Sequence, residues 1–287
     1  MIIITFINQV LTIKSHNIQL VNYFTIFFFA LCLSILFLYR IYSVGIKSLL
    51  YFGDKLENES NYKKAENIRM IQVILGFSFF VFHSVLFFGV LNTVIFFIIS
   101  FTTSLFLEII GANKGYVFGK YSYEPSLCPG PMLGNVPLLI AIAWSGLIYM
   151  SLNCSFLILD MGFNSIISLE VIIMTSIFIT ILDLILDPIA VSEGRWRWDK
   201  PGNYYGVPIQ NFIGWFFNTT IILVFFKLLS SKHMISESHP FYVTFAPGLL
   251  FICLPVVAAR PCFERKLYFA GYIGILFTVF LSAASIL

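Results

Sequence analysis

The sequence predicts an all-α protein, a polytopic membrane helix bundle of about eight transmembrane helices containing two parallel-related hairpin repeats. Three observations predict it. Hydrophobic residues fill 59% of the 287 positions and charged residues only 11%, at a mean hydropathy of +0.92; no soluble domain of this size has that balance. Apolar runs of the roughly 17–25 residues needed to cross a bilayer recur along the chain. Lysine and arginine fall almost wholly on one side of the arrangement those runs define.

The expected spans are about 20–39, 69–90, 93–111, 136–152, 164–187, 211–229, 241–259 and 267–286. Residues 1–68 form an N-terminal span and a polar cytoplasmic loop; residues 69–287 form the main membrane domain, with repeats at about 93–152 and 164–229. Within the first unit, Arg40 to Phe52 carries apolar residues at helical spacing and reads as an interfacial helix. Asp54 to Arg69 mixes both signs and reads as a solvated loop. Met1 to Ile13 has neither a basic start nor a small-residue cleavage site, so it reads as an interfacial segment or an extension of the first helix rather than a signal peptide. The second and third spans turn tightly around Asn92. Asp187-Pro188 reads as a helix stop, because proline disfavours helix in the residue before it.

Eight spans place Arg40, Lys47, Lys55, Lys63, Lys64, Arg69, Lys114, Lys120, Arg195, Arg197, Lys200, Arg260, Arg265 and Lys266 on one side, fourteen in all. Lys14, Lys227 and Lys232 fall on the other. The asymmetry predicts a multi-pass protein of the cell membrane with both termini extracytoplasmic and the loops 112–135 and 188–210 cytoplasmic.

Those two loops share a pattern. An acid near the end of an apolar run, Glu108 or Asp183, is followed eleven residues later by a glycine, Gly119 or Gly194. Each glycine opens a basic-aromatic-x-aromatic sequence, Lys120-Tyr121-Ser122-Tyr123 or Arg195-Trp196-Arg197-Trp198. Pro137 or Pro208 follows, and seven residues further comes Trp144 or Trp215. The four tryptophans of the chain all fall on this pattern. The copies are unequal: Asp187 stands where the first has Ala112, and Asn211 where the first has Ile140.

Carboxyl groups at membrane depth are disfavoured as charges, and a carboxylic acid kept neutral is what a general acid requires. Tryptophan faces stabilise cations by about 0.5–2 kcal/mol when desolvated. Acids beside aromatics therefore suggest acid chemistry on an apolar substrate. The plainer alternatives are acids paired with Lys or Arg, and aromatics forming an interfacial belt with snorkelling arginines. Gln210 and Asn211 at a helix start are amides that could cap it or hold a water, as could Asn135. His83, inside the second span, is a proton-relay or substrate-contacting candidate, or a hydrogen-bonded structural histidine. His16, His83, His233 and His239 form no ligand cluster, and Cys32, Cys128, Cys154, Cys253 and Cys262 show no ligand spacing. No phosphate-binding glycine motif is present. The expectation is a chain without metal, cofactor or nucleic-acid partner.

The run Asp183-Leu-Ile-Leu-Asp187-Pro188, with Gly194-Arg-Trp196-Arg-Trp198, Tyr204-Tyr205-Gly206-Val-Pro208 and Asn211-Phe212-x-Gly214-Trp215, resembles the integral-membrane carotenoid biosynthesis family that includes carotenoid 1,2-hydratases of the bisanhydrobacterioruberin hydratase and γ-carotene 1′-hydroxylase type. Glu108, Gly119-Lys-Tyr121-Ser-Tyr123 and Val136-Pro137-Leu138 before Trp144 fit as well. The resemblance covers roughly residues 70–280. It implies cofactor-independent hydration of the terminal double bond of an acyclic carotenoid or other polyene. On it, Asp183 is the leading proton donor and Glu108 the second, with Asp187 or Asn211 handling the water. Tyr121, Tyr123, Trp144, Trp196, Trp198, Tyr205, Trp215 and His83 are the expected substrate contacts. Membrane lipid and other carotenoid-pathway enzymes are candidate partners.

The doubled pattern is also similar to the membrane-embedded lycopene cyclases, but Pro208 is followed by Ile209-Gln210-Asn211 and not by their glutamates. Cyclisation starts from the same alkene protonation. Two non-catalytic readings stand beside these: a carotenoid- or lipid-binding membrane protein, and a transporter using the acids as a proton path, which would place them near the bilayer midplane.

Overall fold

The computed structural model describes residues 59–161, 167–230 and 241–286, together with isolated helical positions between 23 and 41. The expectations for the interfacial helix at 40–52 and the N-terminal segment lie outside the described residues, as does most of the first span.

The first helix described throughout its length, α1 (Glu59–Lys114), spans 56 residues. Straight, it would run about 84 Å at ~1.5 Å per residue, far beyond a hydrocarbon core of about 30 Å. Gly89 breaks it, with φ 76° and ψ 167°, a backbone state that glycine alone adopts freely. The two arms then fold against each other: the Phe77 and Phe97 rings lie 5.0 Å apart, and the Ser84 and Thr93 hydroxyls hydrogen-bond at 2.9 Å. The turn thus falls at Gly89, not Asn92, which sits buried and helical in the second arm. The first arm also corrects the expected solvated loop. The chain is helical from Glu59, and Glu66 is buried against arginines.

Beyond α1 the chain forms α2 (Leu138–Ile158), α3 (Leu169–Glu193), α4 (Ile209–Leu229), the short α5 (Phe241–Thr244), α6 (Ala246–Glu264) and α7 (Tyr268–Ala284). Ser168 caps α3 through the Val171 amide at 3.3 Å, and Gly194 ends it at φ 77°. Among the described residues, five helices are long and apolar enough to cross a membrane, with α7 apolar but shorter. The protein is therefore an all-helical membrane bundle; of the eight expected spans, most of the first lies outside the described residues, and the second and third form the two arms of α1 on either side of Gly89. Exposed apolar side chains such as Phe106, Leu228 and Leu276 face outward from it, as lipid contact requires.

Pro188 does not stop its helix. It lies inside α3, which continues to Glu193. Proline has no N–H for the carbonyl four residues back, here Leu184. The Tyr204 hydroxyl donates to that carbonyl at 2.8 Å, so the loop after the helix supplies the bond the proline omits.

Two small ribbons complete the architecture. β2 (Met132–Leu133) pairs with β3 (Val136–Pro137). β1 (Tyr121–Tyr123) pairs antiparallel with β4 (Trp196–Trp198). The second ribbon closes one end of the bundle and positions the site.

Candidate active site

The β1–β4 ribbon joins the two copies of the repeated pattern to each other. Its register pairs Tyr121 with Trp198, Ser122 with Arg197 and Tyr123 with Trp196. Two further bonds frame it, from the Glu124 amide to the Arg195 carbonyl at 2.7 Å and from the Asp199 amide to the Lys120 carbonyl at 2.9 Å. Each runs from the fifth residue after one glycine to the first after the other. Gly119 and Gly194, which start the two strands, both have φ near 80°, at 83° and 77°. The prolines also correspond. Pro137 and Pro208 each precede a helix in extended conformation, at φ −65° and −76°.

The ribbon aims its rings at Glu108, near the end of the second arm of α1. Tyr121 and Tyr123 both donate hydroxyls to Glu108 Oε2, the latter at 2.8 Å. Trp144 Nε1 donates to Oε1 at 2.8 Å from α2. All three donors belong to the first copy. The carboxylate is buried and accepts from groups that compensate its lost water.

The second copy builds a different arrangement. Asp183 and Asp187 lie one turn apart on α3, and both are buried. Asn211, at the start of α4, donates from Nδ2 to Asp183 Oδ2 at 2.8 Å and to Asp187 Oδ2 at 2.6 Å. Its amide is thus spent on the acids and not on capping the helix. Asp183 Oδ1 has no hydrogen-bond partner among the described residues. A run of contacts joins the three carboxyl groups: Trp144, bonded to Glu108, stacks on Trp215, one turn along α4 from the Asn211 that binds both aspartates.

Trp144 and Trp215 form the wall between these halves, stacked with centroids 3.8 Å apart and planes 28° from parallel. Trp198 lies 5.5 Å from the Tyr121 ring and donates Nε1 to the Phe118 carbonyl at 2.9 Å. Trp196 packs edge-on against Tyr123 at 5.7 Å. Burial, and next the charge of Glu108, hold the Tyr121 and Tyr123 phenols well above their ordinary pKa; Asp187 adds to the effect at Tyr121. These phenols stay protonated as donors across the physiological range.

Two expected contacts lie elsewhere. His83 sits in an aromatic cluster with Phe79, Phe87 and Tyr149. Its Nδ1 meets the Tyr149 hydroxyl at 2.7 Å and its Nε2 donates to the Val243 carbonyl at 2.7 Å. Its partner level on the opposite arm, near Thr93, is about 20 Å of helical rise from Glu108. Tyr205 turns away: its backbone has φ 49°, and its hydroxyl accepts from the Phe269 amide at 3.1 Å. Among the described residues no cluster of His, Cys, Asp and Glu is arranged to hold a metal ion.

A buried ion network behind the ribbon has no counterpart in the sequence reading. Arg195 holds Glu66 through Nη1 and Nη2, both at 2.7 Å, and Glu193 through Nε at 2.5 Å. Arg265 reaches Glu193 at 2.6 Å, and Arg69 reaches Glu66 at 3.1 Å. Such fork-shaped pairing fixes geometry as well as charge. It ties the strand bearing Trp196 and Trp198 to α1, α3 and α6.

Helices apolar enough to cross a bilayer, with an aromatic ribbon beside three buried carboxyl groups, define a multi-pass membrane protein with a buried acidic and aromatic site. The chain belongs to the carotenoid biosynthesis protein family, which matches residues 68–281. It is similar to the bisanhydrobacterioruberin hydratase of Haloarcula japonica, 33% identical over 122 residues. That match covers 42% of this chain and 40% of the relative, so less than half of the relative's length is spanned. No solved structure matches the chain.

Proposed function

We propose that this protein adds water to the terminal 1,2 double bond of an acyclic carotenoid end group. The observation that carries this reading is the division between two kinds of carboxyl site. Glu108 faces three donors and serves as an acceptor. Asp183 and Asp187 share one amide donor, and two carboxyl groups so placed can hold a proton between them. The aspartate pair is then the proton source, with Asp183 as donor and its free Oδ1 toward the substrate. The alkene π pair takes the proton at C2 and leaves a tertiary cation at C1. The stacked Trp144 and Trp215, with Trp198 and Tyr121 beside them, stabilise that cation, and Glu108 stabilises it through its charge. A water lone pair forms the C1–O bond, and the oxonium returns one proton to the aspartates, with Asp187 as acceptor. The net change is addition of one water, with no redox step. The hydratase activity in the name of the relative and the family's carotenoid chemistry support the substrate class.

The basic residues around the ribbon support a cytoplasmic placement of this end, within an eight-span arrangement that includes the segment preceding α1. Expression of the full chain in a lycopene-producing host tests the activity. Products heavier by one water are expected. Unchanged mass with altered retention would replace hydration by cyclisation, and unchanged lycopene would remove the reading.

A further inference from the structure

We propose that Ser100, Ser104, Asn218 and Thr219 hold a water molecule inside the bundle, and that this water supplies the oxygen for the addition; the inference rests on the hydratase reading. Ser104 lies one turn from Glu108 on the second arm of α1, and Asn218 lies three residues beyond Trp215 on α4. The two meet, Asn218 Nδ2 donating to Ser104 Oγ at 3.3 Å. The cluster therefore stands immediately deeper in the membrane than the tryptophan pair. Ser100 is one turn further along the same face as Ser104; Thr219 is the next residue of α4 after Asn218, about 100° around the helix.

All four side chains are fully buried, and Asn218 Oδ1, Ser100 Oγ and Thr219 Oγ1 lack any hydrogen-bond partner among the described residues. Elsewhere in the bundle buried hydroxyls are matched, as Ser151 is to the Thr175 carbonyl and Ser176 to the Ile172 carbonyl. Beyond Asp183 Oδ1, the orphaned polar atoms of the described core are confined to this group. A buried water takes about three hydrogen-bond partners, and this group offers both donors and acceptors in a region that lipid seals from solvent. A dry cation pocket needs such a store, because the same wall that protects the cation excludes bulk water.

The chemistry provides a readout specific to the water. A cation that water captures becomes the hydrate. A cation that is not captured loses a proton from C2 to the carboxylate that protonated it, and the alkene re-forms. In D2O the recovered alkene then carries deuterium at C2. The ratio of deuterium exchange to hydrate formed reports capture independently of how much protein is folded.

The experiment uses the full chain in membranes, D2O buffer and lycopene, comparing wild type with Asn218→Leu, Ser104→Ala and Ser104→Thr. Asn218→Leu and Ser104→Ala are expected to raise the ratio by about tenfold, the scale of one lost buried hydrogen-bond partner; Ser104→Thr keeps a hydroxyl and should stay near wild type. If Asn218→Leu fails to accumulate, Ser104→Ala against Ser104→Thr carries the test. An unchanged ratio overturns the water site while leaving the hydratase reading intact. Wild type that makes neither hydrate nor exchanged lycopene overturns the hydratase reading itself. Variants that slow only an acyclic carotenoid already bearing a hydroxyl would assign the cluster to substrate oxygen and overturn the water assignment.

Discussion

Trp144 and Trp215 occupy equivalent places, each seven residues after the proline that starts its helix, and they stack on one another at 3.8 Å. One ring also hydrogen-bonds Glu108, and the other lies one turn along α4 from Asn211. The stack therefore links the acceptor carboxylate of one copy to the aspartate pair of the other.

Replacing Asp183 with Asn should lower hydrate formation by about a hundredfold or more, the usual contribution of a positioned general acid. Product measured per unit of protein in membranes checks this. A variant with full activity would remove Asp183 as the donor.

Glu108→Gln should also reduce turnover, but for a different reason. It keeps the shape and removes the charge that the proposed mechanism sets toward the cation, while its amide nitrogen confronts a donor. Tyr123→Phe removes only one of the three donors and should cost less than about tenfold. Equal losses in the two variants would contradict the role assigned to the Glu108 charge.

Glu66→Gln leaves Arg195 buried without its bidentate partner. Arg195 keeps Glu193, so the loss should fall below the about 3–5 kcal/mol of a wholly unpaired buried charge, and thermal unfolding in detergent should register it. The folded fraction should keep its product spectrum, since the ion pairs of Glu66 run to Arg195 and Arg69, behind the ribbon.

Tyr204→Phe should destabilise by about 1–3 kcal/mol, because the Leu184 carbonyl loses its donor. Pro188→Ala in the Tyr204→Phe background should recover much of that loss, since alanine restores the N–H that α3 lacks at this turn. Additive effects in the double-mutant cycle would show that the two residues do not serve the same carbonyl.

Cysteine introduced at Lys200, in a background without native thiols, should react with impermeant reagent only from the cytoplasmic side. Labelling from outside would invert the proposed orientation.

The membrane class was legible because composition alone excludes a soluble core, and the repeated pattern was legible because its spacing survives in both copies. The pattern also marks Glu108, Tyr121, Tyr123 and Trp144, which the fold brings together, and Asp183, Asp187 and Asn211, which it brings together separately. Other features turn on pairings that local reading does not contain. Asn92 and Gly89 are both turn formers, and only the backbone angles of Gly89 decide between them. Pro188 reads as a helix end until Tyr204 is seen to satisfy Leu184 from a distant loop. That partner could have been sought, since a proline within an apolar run always orphans a carbonyl four residues back. Tyr205 and Tyr204 look alike in sequence, and only Tyr204 makes that bond. Ser104 and Asn218 gave no signal, because isolated small polar residues in apolar helices are common, and only their meeting across two helices sets them apart.

The ribbon register, with Ser122 opposite Arg197 at its centre, has a consequence for how such a site can change over time. In an assembly of identical subunits around a two-fold axis, every substitution appears twice, and must suit both places at once. Here the two facing strands lie on one chain, so each position can vary alone. Asp187 can stand where the first run has Ala112, and Asn211 where it has Ile140, with no second acid or amide required at those positions. Carrying both strands on one chain frees the ribbon from symmetry, and the carboxyl groups on either side accordingly have different hydrogen-bond partners.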